Sequence, residues 1–308
     1  MKNTDLNLKK KKVMQNTKCL VITCGYFGDI MFASSLASKL VKHYEQVDYL
    51  IGFPQIKTLL ENNPSIHNVF VSDTPTPHPS GMRYLGYDRV IQLQPLNYIV
   101  TPCEEYQQFA GITDTTSEYK VYTLPQYDAV AKAYVDQLKE EHGKPVVGIM
   151  TNWEPKTYLF TEEQYKAGID VPNLGYGGSH RNIQYIVNEL NNHCTLVPIG
   201  VGNLSQQQTI HISDDDSKSL TFEASLLKAC DAFIGTDGGL ATLAAGVGCK
   251  TIITGDFNLQ LYGWNGVIKQ IKDPKLGPDK YFPKFGHIVI NPYYNDNLVV
   301  EQIIENLK

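Results

Sequence analysis

A chain of 308 residues with 42% hydrophobic content is long enough for two α/β domains, each with a core of its own. Its 27 basic and 32 acidic residues leave a net charge of −5, and this absence of a basic surplus argues against a nucleic-acid partner. No apolar run reaches the length of a membrane span, and the six scattered cysteines form no zinc-spaced cluster, so free thiols, no bound metal and a cytoplasmic place are expected.

Residues 1–17 read as a disordered polar tail. Lys9 to Lys12 stand in a row, and the apolar segment of a signal peptide is missing. At most this arm touches an anionic membrane surface. Lys18 to Cys24 is a short apolar run and predicts a buried strand. Gly25 to Asp29 follows, and then Ala33, Leu36, Ala37, Leu40, Val41 and Tyr44 recur at helical spacing. Asp29 therefore stands at a helix N-terminus beyond a strand's carboxyl end. It is either a helix cap or a carboxylate facing a ligand. Val47 to Gly52 predicts a strand, Pro54 to Asn62 a helix, and Asn68 to Ser72 a third strand. Residues 73–86, rich in Pro and Gly, read as a loop long enough to shape a cleft. Tyr87 to Gln94 predicts another strand and Pro102 to Gly111 a short helix.

Glu118 to Tyr127 is polar and predicts an interdomain linker, dividing the chain into domains 18–125 and 126–308. Asp128 to Glu141 predicts a helix and Val146 to Met150 the first strand of a second α/β alternation. The loop from Thr151 to Lys156 would follow that strand's carboxyl end. A helix over Ser179 to Leu190 and a strand over Thr195 to Ile199 come next. Asp214 to Asp216 reads as a solvated turn rather than a metal-binding pair. A helix from Thr221 to Ala229, capped by Thr221 or Ser219, leads to a strand over Ala232 to Ile234. The turn Gly235 to Gly239, a helix over Leu240 to Val247 and a strand over Thr251 to Ile253 complete a β-turn-α-β unit. Free N–H groups and the helix dipole converge on that turn, which suits a phosphate, and Gly238 and Gly239 would let a ligand approach the backbone. The same pattern also joins strand to helix in many α/β proteins without a ligand. Residues 261–283 read as loop, His287 to Ile290 as a last strand, and Asn297 to Lys308 as an amphipathic helix able to cross back to the first domain.

Several of these stretches resemble glycosyltransferase family 9, the ADP-heptose:lipopolysaccharide heptosyltransferases. The run ACDAFIGTDGGLATLAAGVGCKTI is similar to that family's signature A-D-x-x-I-G-x-D-S-G-P-x-H-L-A-A-A-x-G. It keeps Gly235, Asp237, Gly239, Leu243, Ala244, Ala245 and Gly248. It has Gly238 for Ser, Leu240 for Pro and Thr242 for His. LVITCGYFGDIMFASSL resembles the family's L-V-I-R-x-G-x-x-G-D-x-x-x-x-x-P, with Thr23 for Arg and Ser35 for Pro. YDRVIQLQ and PCEEYQQFAG resemble two further family segments, Y-D-x-x-I-D-L-Q and E-R-Y-x-x-x-L-G.

The resemblance implies a GT-B-like α/β fold, two Rossmann-like domains with a cleft between them. It implies an inverting, metal-independent transfer of a sugar from a nucleotide-diphosphate donor, such as an ADP-heptose-like one, to a glycan or glycolipid hydroxyl, as in lipopolysaccharide biosynthesis. No cofactor is implied beyond the nucleotide sugar itself. Asp29 takes the place of the general base, with Gly25 and Gly28 on the acceptor side. Thr236, Asp237, Gly238, Gly239 and Thr242 take the donor side. The family's lysine-bearing phosphate loop falls near Lys156, with Arg181 as the alternative cation. A second reading is a nucleotide-sugar or glycan binding module without turnover, which the changes at Thr23, Gly238 and Thr242 favour. A third is an epimerase or hydrolase of the same shape. An NAD enzyme lacks its glycine fingerprint here.

Overall fold

The computed structural model describes residues 17–25, 27–73, 86–96, 101–150, 183–200, 220–235, 238–254, 288–290 and 296–308. It is an α/β structure with two parallel sheets. The first holds β1 (Lys18–Ile22), β2 (Gln46–Ile51), β3 (Asn68–Val71) and β4 (Arg89–Gln92), ordered β3-β2-β1-β4. The second holds β5 (Val146–Met150), β6 (Thr195–Ile199), β7 (Ala232–Gly235), β8 (Thr251–Ile253) and β9 (Ile288–Val289), ordered β6-β5-β7-β8-β9. The central strands are near-continuous apolar runs because both of their faces are covered. Cys19 and Val21 point into one core, Leu20 and Ile22 into another.

In each sheet the direction of winding reverses beside a strand that leads into a predicted site turn. β1 lies between β2 and β4, and β7 lies between β5 and β8. Ligands of open α/β sheets bind outside the carboxyl ends of strands at such reversals.

The helix after β1 starts earlier than expected and does not run through. It is built of α1 (Phe27–Ala33), a 3-10 turn (Ser34–Leu36) and α2 (Ala37–Leu40). The reason is local. Ser34 Oγ donates to the Met31 carbonyl at 2.7 Å and Ser38 Oγ to the Ser35 carbonyl at 3.1 Å. Such hydroxyls compete with the helical ladder and tighten it. Asp29 is thus the third residue of α1, within its first turn, and not the residue that precedes it. The next helix divides likewise into a 3-10 turn (Pro54–Ile56) and α3 (Lys57–Glu61). α4 (Pro102–Phe109) starts at a capping box in which Thr101 and Glu104 serve each other.

α5 (Pro125–His142) begins before the expected position, at a proline already set for the first helical turn. The segment leading to it is packed at Val121, while Glu118 and Lys120 are exposed. Val121 is buried, and its N–H donates to the Gly246 carbonyl at 2.8 Å. One apolar cluster accordingly runs from the first sheet through Val121 to Phe222 and Leu227 of the second half. In that half, α6 (Ile183–Leu190), α7 (Leu220–Ala229), α8 (Gly239–Gly246) and α9 (Asp296–Leu307) are described. Thr221 lies inside α7 and is buried, so it does not cap it. The terminal α9 packs on the second sheet rather than crossing back. Val299, Val300 and Ile303 join Ile186, Leu190 and Ile252 in one core, and Lys250 Nζ holds the Asn306 carbonyl. Among the described residues no helix is long and apolar enough to cross a membrane.

Candidate functional site

The first turn of interest begins where β1 ends. Thr23, which stands at the family's Arg position, is 1% exposed, and its hydroxyl donates to the Leu50 carbonyl of β2 at 3.2 Å. It ties strand to strand and does not face a ligand. Gly25 follows at φ +84°, a conformation that side chains rarely adopt. A Cβ there would also lie 2.7 Å from Asp29 Cγ. Gly25 therefore admits the Asp29 carboxylate back over the turn.

The Cys24 thiol and the Tyr106 phenol of α4 stand near that carboxylate. Burial pushes the Cys24 thiol up to about 11; the Asp29 charge adds to the rise and the Tyr106 hydroxyl opposes it. Tyr106 is itself raised, by burial first and by the Asp29 charge next. Both groups stay protonated at neutral pH, so the carboxylate is flanked by neutral donors. Sequence reasoning did not single out this pair. The Tyr106 signal was present in the segment PCEEYQQFAG, but only the fold brings α4 against α1.

The second turn precedes α8, and the two turns meet. A Cβ on Gly28 would lie 3.3 Å from Thr242 Oγ1 and 3.8 Å from Gly239 Cα. A Cβ on Gly239 would come within 2.9 Å of Phe27 Cε1. The glycines here let α1 and α8 approach each other closely. The structure thus places Gly28 and Gly239 in helix-helix contact, with the Phe27 ring over the Gly239 backbone that the pattern offered to a ligand. Thr242 is 5% exposed. Its hydroxyl donates to the Gly238 carbonyl at 3.0 Å, and its own carbonyl accepts from the Tyr119 hydroxyl. It closes the helix start and anchors the linker. Gly238 is half-buried at the position before α8 and accepts that bond. Thr236, Asp237, Lys156 and Arg181 lie outside the described residues.

This contact carries a prediction. Gly239→Val should cost about 1–3 kcal/mol of stability by overpacking against Phe27. Adding Phe27→Ala should restore part of that loss, because coupled neighbours are not additive. Thermal or denaturant unfolding of both variants checks it. An unchanged midpoint in Gly239→Val would show that the ring does not own the space.

A third group lies at the carboxyl end of β6. Glu223 of α7 is 9% exposed, and its Oε1 accepts the Gly200 N–H at 3.0 Å. Its Oε2 is buried with no partner among the described residues. Burial pushes this carboxyl up to about 7, and the Gly200 N–H only partly offsets it. An acidic residue inside the apolar run LTFEASLL was the sequence signal for it.

No protein-family model matches this chain, and no curated protein does. Solved structures do. A glycosyl transferase family 9 structure from Veillonella parvula DSM 2008 aligns over 94% of this chain and 97% of its own, at 15% identity and a TM-score of 0.55. The E. coli heptosyltransferase WaaC with ADP-2-deoxy-2-fluoro heptose aligns over 95% of this chain and 100% of its own, at 12% identity and a TM-score of 0.52. WaaC with ADP aligns over the same shares at 11% identity and a TM-score of 0.52. The chain therefore has the fold of these glycosyltransferases, the fold its sequence motifs resemble.

Proposed function

We propose that the chain is a glycosyltransferase that moves a sugar from a nucleotide-diphosphate donor to a hydroxyl acceptor. The observation that carries this reading is the meeting of the two site turns. The Asp29 turn leaves β1, the Gly238 turn leaves β7, and α1 and α8 abut where they start. An acceptor on the first half and a donor on the second would share a cleft there. Asp29 would take the acceptor's proton as its oxygen attacks the anomeric carbon, with inversion and without a metal. The turn Thr236 to Gly238 would hold the leaving diphosphate at the start of α8, with Lys156 or Arg181 as the cation. The WaaC structures contain ADP and an ADP-sugar analogue, which makes an ADP-linked donor the first to try. A glycan or glycolipid acceptor and a cytoplasmic place belong to the same reading.

One observation favours the second reading, a binding module without turnover. The residue at the family's His position, Thr242, spends its hydroxyl inside its own helix. Calorimetric titration with ADP and a panel of nucleotide sugars tests what both readings share. Saturable heat with at least one nucleotide is expected, and none with any of them contradicts both.

A further inference from the structure

Tyr119 belongs to the segment that joins the two halves, and it touches both helices that carry the site turns. Its hydroxyl donates to the Thr242 carbonyl of α8. Its ring packs edge-on against Phe32 of α1, with ring centres 5.1 Å apart and planes at 78°. Each contact lies about one helical turn from a site turn. Phe32 follows Asp29 on α1, and Thr242 follows Gly238 on α8.

The direct contact between α1 and α8 holds the helices together without fixing where they sit along each other. Gly28 and Gly239 offer only backbone to it, and the Phe27 ring adds apolar surface. Apolar packing has no direction of its own, whereas a hydrogen bond does. Tyr119 supplies such a bond. Thr242 passes it on, because its own N–H and its hydroxyl both donate to the Gly238 carbonyl at 3.0 Å. Further along α8 the fit to the same segment is close. A Cβ on Gly246 would stand 2.7 Å from Tyr119 Cε2, and Val121 N–H donates to the Gly246 carbonyl at 2.8 Å.

The segment is in turn fixed to the first half on both sides of Tyr119. Thr116 and the buried Gln107 of α4 exchange two hydrogen bonds, at 2.8 and 3.0 Å. Asn62 Nδ2 donates to the Tyr122 carbonyl at 3.3 Å. Tyr119 is thus held from the first half while it grips the second.

We propose that Tyr119 is a positioning residue that sets the Gly238 turn against the Asp29 turn. It acts through Thr242 and Phe32 rather than on a substrate. Its effect on turnover rests on the transferase reading. A donor on one half and a base on the other react only at the right separation, and a displacement of about 1 Å can cost about 10²-fold in rate. Nucleotide binding alone needs the second half and not that separation.

Tyr119→Phe keeps the ring on Phe32 and removes the hydroxyl. Hydrogen exchange of the backbone amides of α8 should speed about fivefold, the scale of one lost hydrogen bond, with α9 unchanged. The kcat of sugar transfer should fall between about 10- and 10²-fold. ADP affinity, read by calorimetric titration, and the pH profile of kcat should stay as in the wild type. Phe32→Leu should lower kcat in the same way from the α1 side. Lys120→Ala, a change at the exposed neighbour, should leave kcat unchanged. Unchanged exchange in Tyr119→Phe would overturn the positioning role, whether or not the chain transfers a sugar. So would an unchanged kcat, or a loss of ADP affinity that accounts for the fall in turnover. A wild type that transfers no sugar contradicts the proposed function alone, and the exchange comparison still decides for Tyr119.

Discussion

Asp29→Asn is expected to lower turnover by about 10²–10⁴-fold, the scale of a lost general base. A sugar hydroxyl is a poor nucleophile until its proton has somewhere to go. Asp29 is the carboxylate that α1 and Gly25 place at the carboxyl end of β1. Asn has the same size and cannot take that proton. Stability should change by less than about 1 kcal/mol, since what is lost there is a charge near a helix N-terminus. Nucleotide affinity should hold, because the donor turn belongs to the other sheet. A readout without substrate accompanies this. The Asp29 charge helps hold the Cys24 thiol up, and Cys24 is the partly exposed cysteine while the other five are buried. Removing the charge should therefore speed alkylation of Cys24 by iodoacetamide at a fixed alkaline pH. Normal turnover in a folded Asp29→Asn protein would remove Asp29 from the chemistry. Unchanged alkylation would show that its carboxylate does not reach Cys24.

Glu223→Gln is expected to raise stability at neutral pH and flatten its pH dependence. The folded carboxyl ionises at about 7, against 4.5 for the free group, because burial disfavours its charge. Between those values the folded chain holds a proton that the unfolded chain has released. Stability from this group therefore falls as pH rises from 4.5 to about 7 and then levels off. At about 1.4 kcal/mol per pH unit the full loss is about 3 kcal/mol. Gln keeps an oxygen for the Gly200 N–H and carries no charge to bury. Wild-type unfolding midpoints should fall between pH 4.5 and about 7, and the variant's should fall less. Parallel curves for the two proteins would mean that Glu223 does not bear the cost.

How far the sequence reached depends on the range of the interaction. β5, β6 and β8 were legible to the residue. Each is a short apolar run bounded by polar or turn residues, and that pattern is local. The strand-turn-helix units around Asp29 and Gly238 were legible for the same reason. The break at Ser34 was not, because apolar spacing continues through it while two serine hydroxyls alter the backbone. The early start of α5 followed from Pro125, a local signal outweighed by the polar composition around it. Strand order pairs residues up to 85 positions apart (Val147 with Ala232), and the Phe27 ring over Gly239 and the Tyr119 bond to Thr242 join residues more than 100 positions apart. No periodicity carries such contacts. Sequence pattern assigned the glycines to a ligand, and the fold gives two of them to helix packing first.

The most direct test of sugar transfer is release of nucleoside diphosphate from ADP-linked and other nucleotide sugars, measured with and without a glycan or glycolipid acceptor. Release that needs the acceptor and is lost in Asp29→Asn is expected. Release that ignores the acceptor would make the chain a hydrolase, and binding without any release would make it a module; either result contradicts transfer.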